Sequence, residues 1–589
     1  MRQRTAFPCG SGRWLQLWVV AVCAGWFGCG ITGLPLAAPA GSSNDAGSRG
    51  PGLDARLATP DAGPSIDPNP CANGTLVGDV TIQTVADIAR LKGCVHVTGD
   101  VYIHASALRD LRGLEALRVI DGVLSIAASN DSSDTSGLAA PVDFESLAGL
   151  EGLQSVGTLA LSTLPITTLR ELSGLQSGAT LMIDALPALR DLSGLDKVSW
   201  DTVRLLQFLG LQTLDGLHVS ASATEVTLMG LISLRNLAGL QGLSMVDQLT
   251  ISGCDALRDL SGLRAAVSVG ALTIEANAHL RTLDGLALRG SAQTISLAHD
   301  PELTNIAVLI DPSAPRIGSL RLRDLPALKD LSGLQDLQEA GSFFIENCPG
   351  LTDLSGLTRL KTVGQLELRQ CANLQNLQGA AAIESITMEL DLVDVPALTS
   401  LQGLTKLKHV ARLAISKASA LQDLVGLEGQ VVVGTLEVSE DNGLQTLRGL
   451  ENILELNDLT IDSNALLQNL LGLPAVDHLG AVYLTRNPQL SDLRGLTALR
   501  TVDKLFIGSN ALLTGLAGVE SLRSVSMVLE ITDNDSLASL RAFAALDHVG
   551  LLDVVHNPRL PQCEVDWLTQ QVHLATSTGV NGFQGTCGP

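Results

Sequence analysis

The sequence predicts a parallel β-solenoid, and three observations carry that prediction. The first is a repeat. The stretch Leu272–Leu286, LTIEANAHLRTLDGL, recurs as LTISGCDALRDLSGL from Leu249, LTIDSNALLQNLLGL from Leu459 and LFIGSNALLTGLAGV from Leu505. The place held by Asn277 can be followed through 254, 277, 300, 325, 348, 371, 395, 418, 441, 464, 487, 510, 534 and 557, in steps of 23 with an occasional 24 or 25. A fixed period of that size marks a solenoid. The second observation is alternation. Leu272 and Ile274 alternate with Thr273 and Glu275, the period of a strand with one face inward. The third is a recurrent glycine. Gly285 has counterparts at Gly194, Gly239, Gly262, Gly333, Gly356, Gly403, Gly426, Gly449, Gly472 and Gly495, which suggests a corner needing positive φ or a close approach of backbones.

Within a turn, the apolar spacing becomes three after Asn277, through Leu280, Leu283 and Leu286. That spacing suits extended corners and short strands better than an α-helix. Short polar residues stand at one fixed place per turn: Asp191, Asn236, Asp259, Asp330, Asp353, Asn376, Asp423, Asn469 and Asp492. Such side chains bond the local backbone at a bend. Each turn therefore reads as strand, corner, short segment, glycine corner and return. The chain of 589 residues holds about 20 such turns. They stack into one body in which each turn touches only its neighbours.

Taken in order, residues 1–29 read as an export signal. Arg2, Arg4 and Arg13 make a positive start, and Trp14 to Phe27 is an apolar run too short for a stable membrane span. It ends in Gly28-Cys29, which resembles the lipobox of bacterial lipoproteins, where the cysteine is lipidated; Trp26 and Phe27 depart from that pattern. The alternative is plain secretion with cleavage after Ala38-Pro39-Ala40. Gly30 follows the cysteine where an aspartate would mark inner-membrane retention, so the resemblance implies the outer membrane. Residues 30–70, rich in Gly, Ala, Pro, Ser and Asp, read as a disordered tether.

Residues 71–104 read as an N-terminal cap. Val85, Ile88 and Leu91 form one helical stripe, and the helix is stapled by a Cys71–Cys94 disulfide over the first turn. The repeats fill 105–560. Residues 127–146 read as a polar loop leaving the coil, and 311–315 as a smaller one. Residues 561–589 read as a second cap, with Val565, Leu568 and Val572 on one helical face and Cys563 paired with Cys587. Terminal turns need such caps because their apolar ends would otherwise face water.

These caps resemble the receptor L-domain family. Its opening is matched by Cys71, Gly93-Cys94 and Gly99, and its close by Asn557, Leu560, Cys563 and Asp566-Trp567, with a final cysteine at Cys587. The resemblance implies a right-handed parallel β-helix of leucine-rich-repeat type that binds protein ligands. Family modules have about six turns, this chain about 20, and the family's ligand contacts have no counterpart here. An internalin-like leucine-rich repeat is a kindred alternative.

Chemistry-bearing motifs are sparse. Three of the ten cysteines, Cys254, Cys348 and Cys371, take the Asn277 place and read as buried, inert thiols. Cys348 and Cys371 fall on adjacent turns, where a disulfide is conceivable. The ten histidines are scattered, with no HxxxH, CxxC, GxSxG or phosphate-cradling loop. The expectation is a protein that is not an enzyme and has no metal or cofactor. A net charge of −23 argues against nucleic acid.

The outward strand positions remain. Tyr483 and Phe506 hold the same outward place one turn apart, and Phe344 is another outward aromatic. Arg321, Arg323 and Arg369 are outward cations on an acidic body. Exposed aromatics anchor protein interactions, while the plain alternative is stacking that steadies the sheet. The expected function is a cell-surface protein-binding or adhesion lipoprotein with an unidentified protein ligand on the outer sheet face. The membrane would be reached through the lipid alone. A structural envelope spacer is the competing reading.

Overall fold

The computed structural model describes residues 71–580 apart from 129–142, 264–265, 308 and 428. The chain forms a parallel β-solenoid of about 21 turns with a period of about 23. The alternating residues become strands: Leu249, Leu272 and Ile295 lie side by side in register, as do Ile251, Ile274 and Leu297. Their side chains are fully buried, and the next face of the turn buries Leu280, Leu283 and Leu286. The inside is thus an aliphatic column, and strand positions between the inward ones face out.

The spacing of three is not made of short strands. Leu280 donates its N–H to Asn277 O at 3.2 Å, and Leu286 donates to Leu283 O at 3.0 Å. These are tight turns, each closed over three residues. They are joined from one coil to the next by bonds such as Leu260 N to Asp284 O at 2.8 Å. The polar residue at each bend behaves as its chemistry requires: Asp259 Oδ1 accepts from Ser261 N, Asp330 Oδ1 from Ser332 N and Asn376 Oδ1 from Gln378 N, all at 2.8–2.9 Å.

Gly285 meets both demands of its corner. Its φ is +102°, and a Cβ there would stand 2.3 Å from Leu260 O of the preceding turn. Gly285→Ala is therefore expected to destabilise by about 1–3 kcal/mol from backbone strain alone, with the clash adding to it. Urea denaturation of the variant beside the native chain measures this, and an unchanged midpoint would contradict the close packing of turns.

The Asn277 place carries a buried polar ladder. Asn534 N donates to Asn557 Oδ1, Asn510 N to Asn534 Oδ1, Asn487 N to Asn510 Oδ1 and Asn464 N to Asn487 Oδ1, at 2.9–3.1 Å. Asp441 N continues it to Asn464 Oδ1 at 3.1 Å, and Ala418 N to Asp441 Oδ1. The residue before a ladder position takes a left-handed backbone, and apart from Gly253 it does so without being glycine, as at Ala276 (φ 56), Lys417 (φ 56), Arg486 (φ 55) and His556 (φ 57). Each such residue costs about 1–2 kcal/mol. The ladder bonds on the following residue hold the chain there.

Both ends depart in part from expectation. The disulfide Cys71–Cys94 is formed, with Cα atoms 5.4 Å apart. The helix Val85–Arg90 begins at a Thr84–Asp87 capping box, but only Ile88 and Leu91 are buried; Val85 is 66% exposed. The stripe turns Val85 to solvent because the helix is a single arc of the first coil rather than a lid over it. Its neighbours Val80–Ile82 already pair with Val101–Ile103. The segment 127–146 is not all loop: Ala127 closes a strand and Phe144 is buried in the core.

At the C-terminal end, the helix Gln562–Gln571 buries Val565 and Leu568. A further strand follows it, His573–Val580, paired in parallel with His548–Val555. Cys563 is disulfide-bonded; Cys587, its expected partner, lies outside the described residues, as does Cys29. No helix among the described residues is long and apolar enough to cross a membrane.

Candidate functional site

The outward sheet face is built by strand register. Tyr483 on His478–Thr485 lies opposite Phe506 on Thr501–Gly508. Their rings stack with centroids 4.7 Å apart and planes 6° from parallel, which is the spacing that adjacent strands impose. Both rings are partly buried, with the rest of each facing solvent. The row continues through Glu530 and Asp553 on one side and Thr460 and Glu437 on the other.

Phe344 lies on the same row, six strands away, roughly 29 Å at about 4.8 Å per strand. The two aromatic groups therefore do not share one small site. Arg321 stands over the Phe344 ring, 5.3 Å from its centroid. The other two arginines are not free cations. Arg323 pairs with Asp324 at 3.2 Å and Glu346 at 3.3 Å, and Arg369 pairs with Glu367 and, at 2.7 Å, with Asp391. Arg412 is likewise held by Glu389 and Glu437. These are cross-strand charge ladders on the sheet. Sequence alone placed the arginines outward but could not show that their neighbours neutralise them.

The electrostatics of this face are uneven. Burial raises the carboxyl of Asp391, and Arg369 pulls it back. Glu530 is also raised, by burial first and then by Asp553. Neither Glu530 nor Asp553 has an ion pair, and Asp553 Oδ1 is a buried oxygen without a hydrogen-bond partner.

The three cysteines of the Asn277 place are free and buried, so Cys348 and Cys371 are not joined. Each thiol points at the carbonyl 26 residues earlier: Cys254 at Leu228 O, Cys348 at Leu322 O and Cys371 at Ile345 O. Burial pushes Cys254 and Cys348 up to about 12 and Cys371 to about 11. Thiols held that far from ionisation are poor nucleophiles and metal ligands. No group of three or more metal-binding side chains occurs among the described residues.

The fold and this face define the class as a leucine-rich parallel β-solenoid with an exposed, charge-laddered sheet. No known family model matches the chain. No curated protein matches it either. Among solved structures, the chain is similar to that of the TLR13–ssRNA13 complex, at 14% identity over 85% of this chain and 81% of that one, with a TM-score of 0.28. A likeness at that score carries no argument about ligand or kinship.

Proposed function

We propose that this chain is an exported surface protein whose outward sheet face binds another protein. The observation that carries the reading is the Tyr483–Phe506 pair, two stacked and partly exposed rings on an outward row of mostly polar and charged residues, where Phe344 and Tyr102 stand without an aromatic neighbour. Rigid aromatic side chains on a fixed scaffold lose little entropy on contact and are typical hot spots. The resemblance of the cap cysteines and Asp566-Trp567 to the receptor L-domain family favours a protein ligand over a small molecule. The net charge of −23 disfavours nucleic acid.

The test is position-specific crosslinking in cells that produce the protein. A photo-reactive residue at Thr460, beside the rings, is expected to trap a discrete protein partner. The same residue at Ser332, in a bend away from the sheet, is expected to trap none. Tyr483→Ala with Phe506→Ala should remove the Thr460 adduct while the thermal midpoint stays nearly unchanged. An absent adduct, or one equal at both positions, would favour the rigid spacer without a ligand.

The address rests on Cys29 and on the Cys71–Cys94 disulfide, which suits an oxidising compartment. We infer lipidation at Cys29 and display at the outer membrane. A fatty-acid probe should label the native chain and fail to label Cys29→Ser; equal labelling would refute the lipid anchor.

A further inference from the structure

We infer that Tyr483, Phe506, Glu530 and Asp553 form one recognition site for a basic side chain, arginine above all, presented by a partner polypeptide. The inference rests on the protein-binding reading of the sheet face and adds the chemistry of what is bound.

The four residues are consecutive along one outward row. Register places Tyr483 beside Phe506, Phe506 beside Glu530, and Glu530 beside Asp553. Adjacent strands hold the two carboxylates side by side, at a backbone spacing of about 4.8 Å. Like charges at that spacing repel, and burial adds to the cost. The effect is visible at Glu530, whose carboxyl is raised by both causes. Lys504 lies on the neighbouring outward row, opposite Val528, and forms no ion pair with either acid.

The same sheet shows how it treats such a pair elsewhere. Glu367 and Asp391 are also adjacent-strand neighbours in this row. Arg369, from the chain itself, sits between them and pairs with both. The C-terminal cap supplies the aromatic version. Arg541 lies 4.4 Å from the Trp567 ring centroid and 2.8 Å from Glu564 Oε1. At Glu530 and Asp553 the carboxylates and the rings are both present, and no basic side chain of the described residues pairs with either acid. Asp553 Oδ1 is left with no donor although it is buried.

A guanidinium suits this set of two carboxylates and two rings. It is planar, spans two carboxylates and packs against aromatic rings. The acidic surface of the chain draws basic partners toward it.

The test uses the full chain and fluorescein-labelled peptides of six arginines, six lysines or six glutamines, read by anisotropy at physiological salt. The arginine peptide should bind most tightly and the glutamine peptide not at all. Glu530→Gln with Asp553→Asn should weaken arginine-peptide binding by about tenfold or more. Phe506→Ala should weaken it by roughly threefold. Asp247→Asn with Glu455→Gln removes the same charge from exposed positions off the row and should change binding less than about twofold.

Equal weakening by that control would mean that the acidic field, not a site, holds the peptide. Native-like binding by the Glu530/Asp553 variant, or no binding by the native chain, overturns the inference. So does spermine displacing the peptide with equal affinity, since a polyamine would then be the occupant. A Thr460 crosslink that persists undiminished in the Glu530/Asp553 variant sinks this inference alone. Loss of the crosslink in every form sinks the protein-binding reading itself.

Discussion

Replacing Asn487 by alanine is expected to cost on the order of 3–5 kcal/mol, because several buried groups lose partners at once. Asn487 Oδ1 accepts from Asn464 N at 2.9 Å and from Asn464 Nδ2 at 3.1 Å. Its Nδ2 donates to Ile461 O and to Thr485 O, both at 2.9 Å. Alanine makes none of these bonds, and the site is too buried for water to replace them. The left-handed backbone at Arg486 would also lose its restraint. Because turns couple only to their neighbours, the loss should fall on the C-terminal coils. Urea unfolding followed by hydrogen exchange is expected to split into two transitions, with residues beyond 487 opening first. A single transition at the native midpoint would show that aliphatic packing alone carries the stack.

The second large effect is a pH dependence at Asp300 and Asp441. Along the ladder, asparagine Nδ2 donates to the carbonyl about 26 residues back, as in Asn277 to Ile251 O, Asn464 to Val438 O and Asn510 to Leu484 O. The cysteine thiols aim at the same carbonyl. The place thus takes a donor, and an ionised carboxylate is not one. Asp300 and Asp441 each keep Oδ1 as a ladder acceptor, while Oδ2 has no partner. Burial, with Glu275 nearby, raises Asp300 from 3.8 to about 7; burial, with Glu440 nearby, raises Asp441 from 3.8 to about 6.

The sign follows from linkage. Between pH 4 and 7 the folded chain binds protons at these positions that the unfolded chain has released. Their contribution is therefore fully present below about pH 4 and is lost progressively as pH rises from there through the folded values of about 6 and 7. The loss is on the order of 3–4 kcal/mol at each position. Asp300→Asn and Asp441→Asn supply a permanent donor. Each variant is expected to match the native chain near pH 4 and to exceed it by a margin that grows up to about pH 6 for Asp441→Asn and about pH 7 for Asp300→Asn, then stays level to pH 8. The difference between variant and native removes the opposing trend of carboxylates such as Glu302, held low chiefly by Arg281 and His279, and Asp100, held low by Val123 N. A margin that stays flat from pH 4 to 8 would show that neither acid is protonated in the fold.

The sequence by itself determined the architecture. Leu272 and Ile274 could only be an inward strand face, Gly285 could only be a corner, and the spacing between copies fixed which residues stack. Cys71 and Cys94 were legible as a pair because the first coil brings them together, and Tyr483 and Phe506 as neighbours because they differ by one period. These are consequences of local periodicity, which repeats in the sequence as it repeats in space.

Only the tertiary structure decided what depends on contacts between coils. It showed that the spacing of three is a run of tight turns and that Val85 faces solvent. It also showed that the residue before a ladder position is left-handed, in most coils without being glycine. None of these has a signature within one turn. The arginines at 323 and 369 read as outward cations, and only register sets carboxylates beside them, as it sets Glu530 and Asp553 side by side. Asp300 and Asp441 stand at the Asn277 place in the sequence, but only the bonds of the ladder show that each keeps one carboxyl oxygen without a partner and so becomes proton-dependent. The physical reason is common to all of them. Periodicity fixes which way a side chain points, whereas its charge state and its partners are set by the residues one coil above and below.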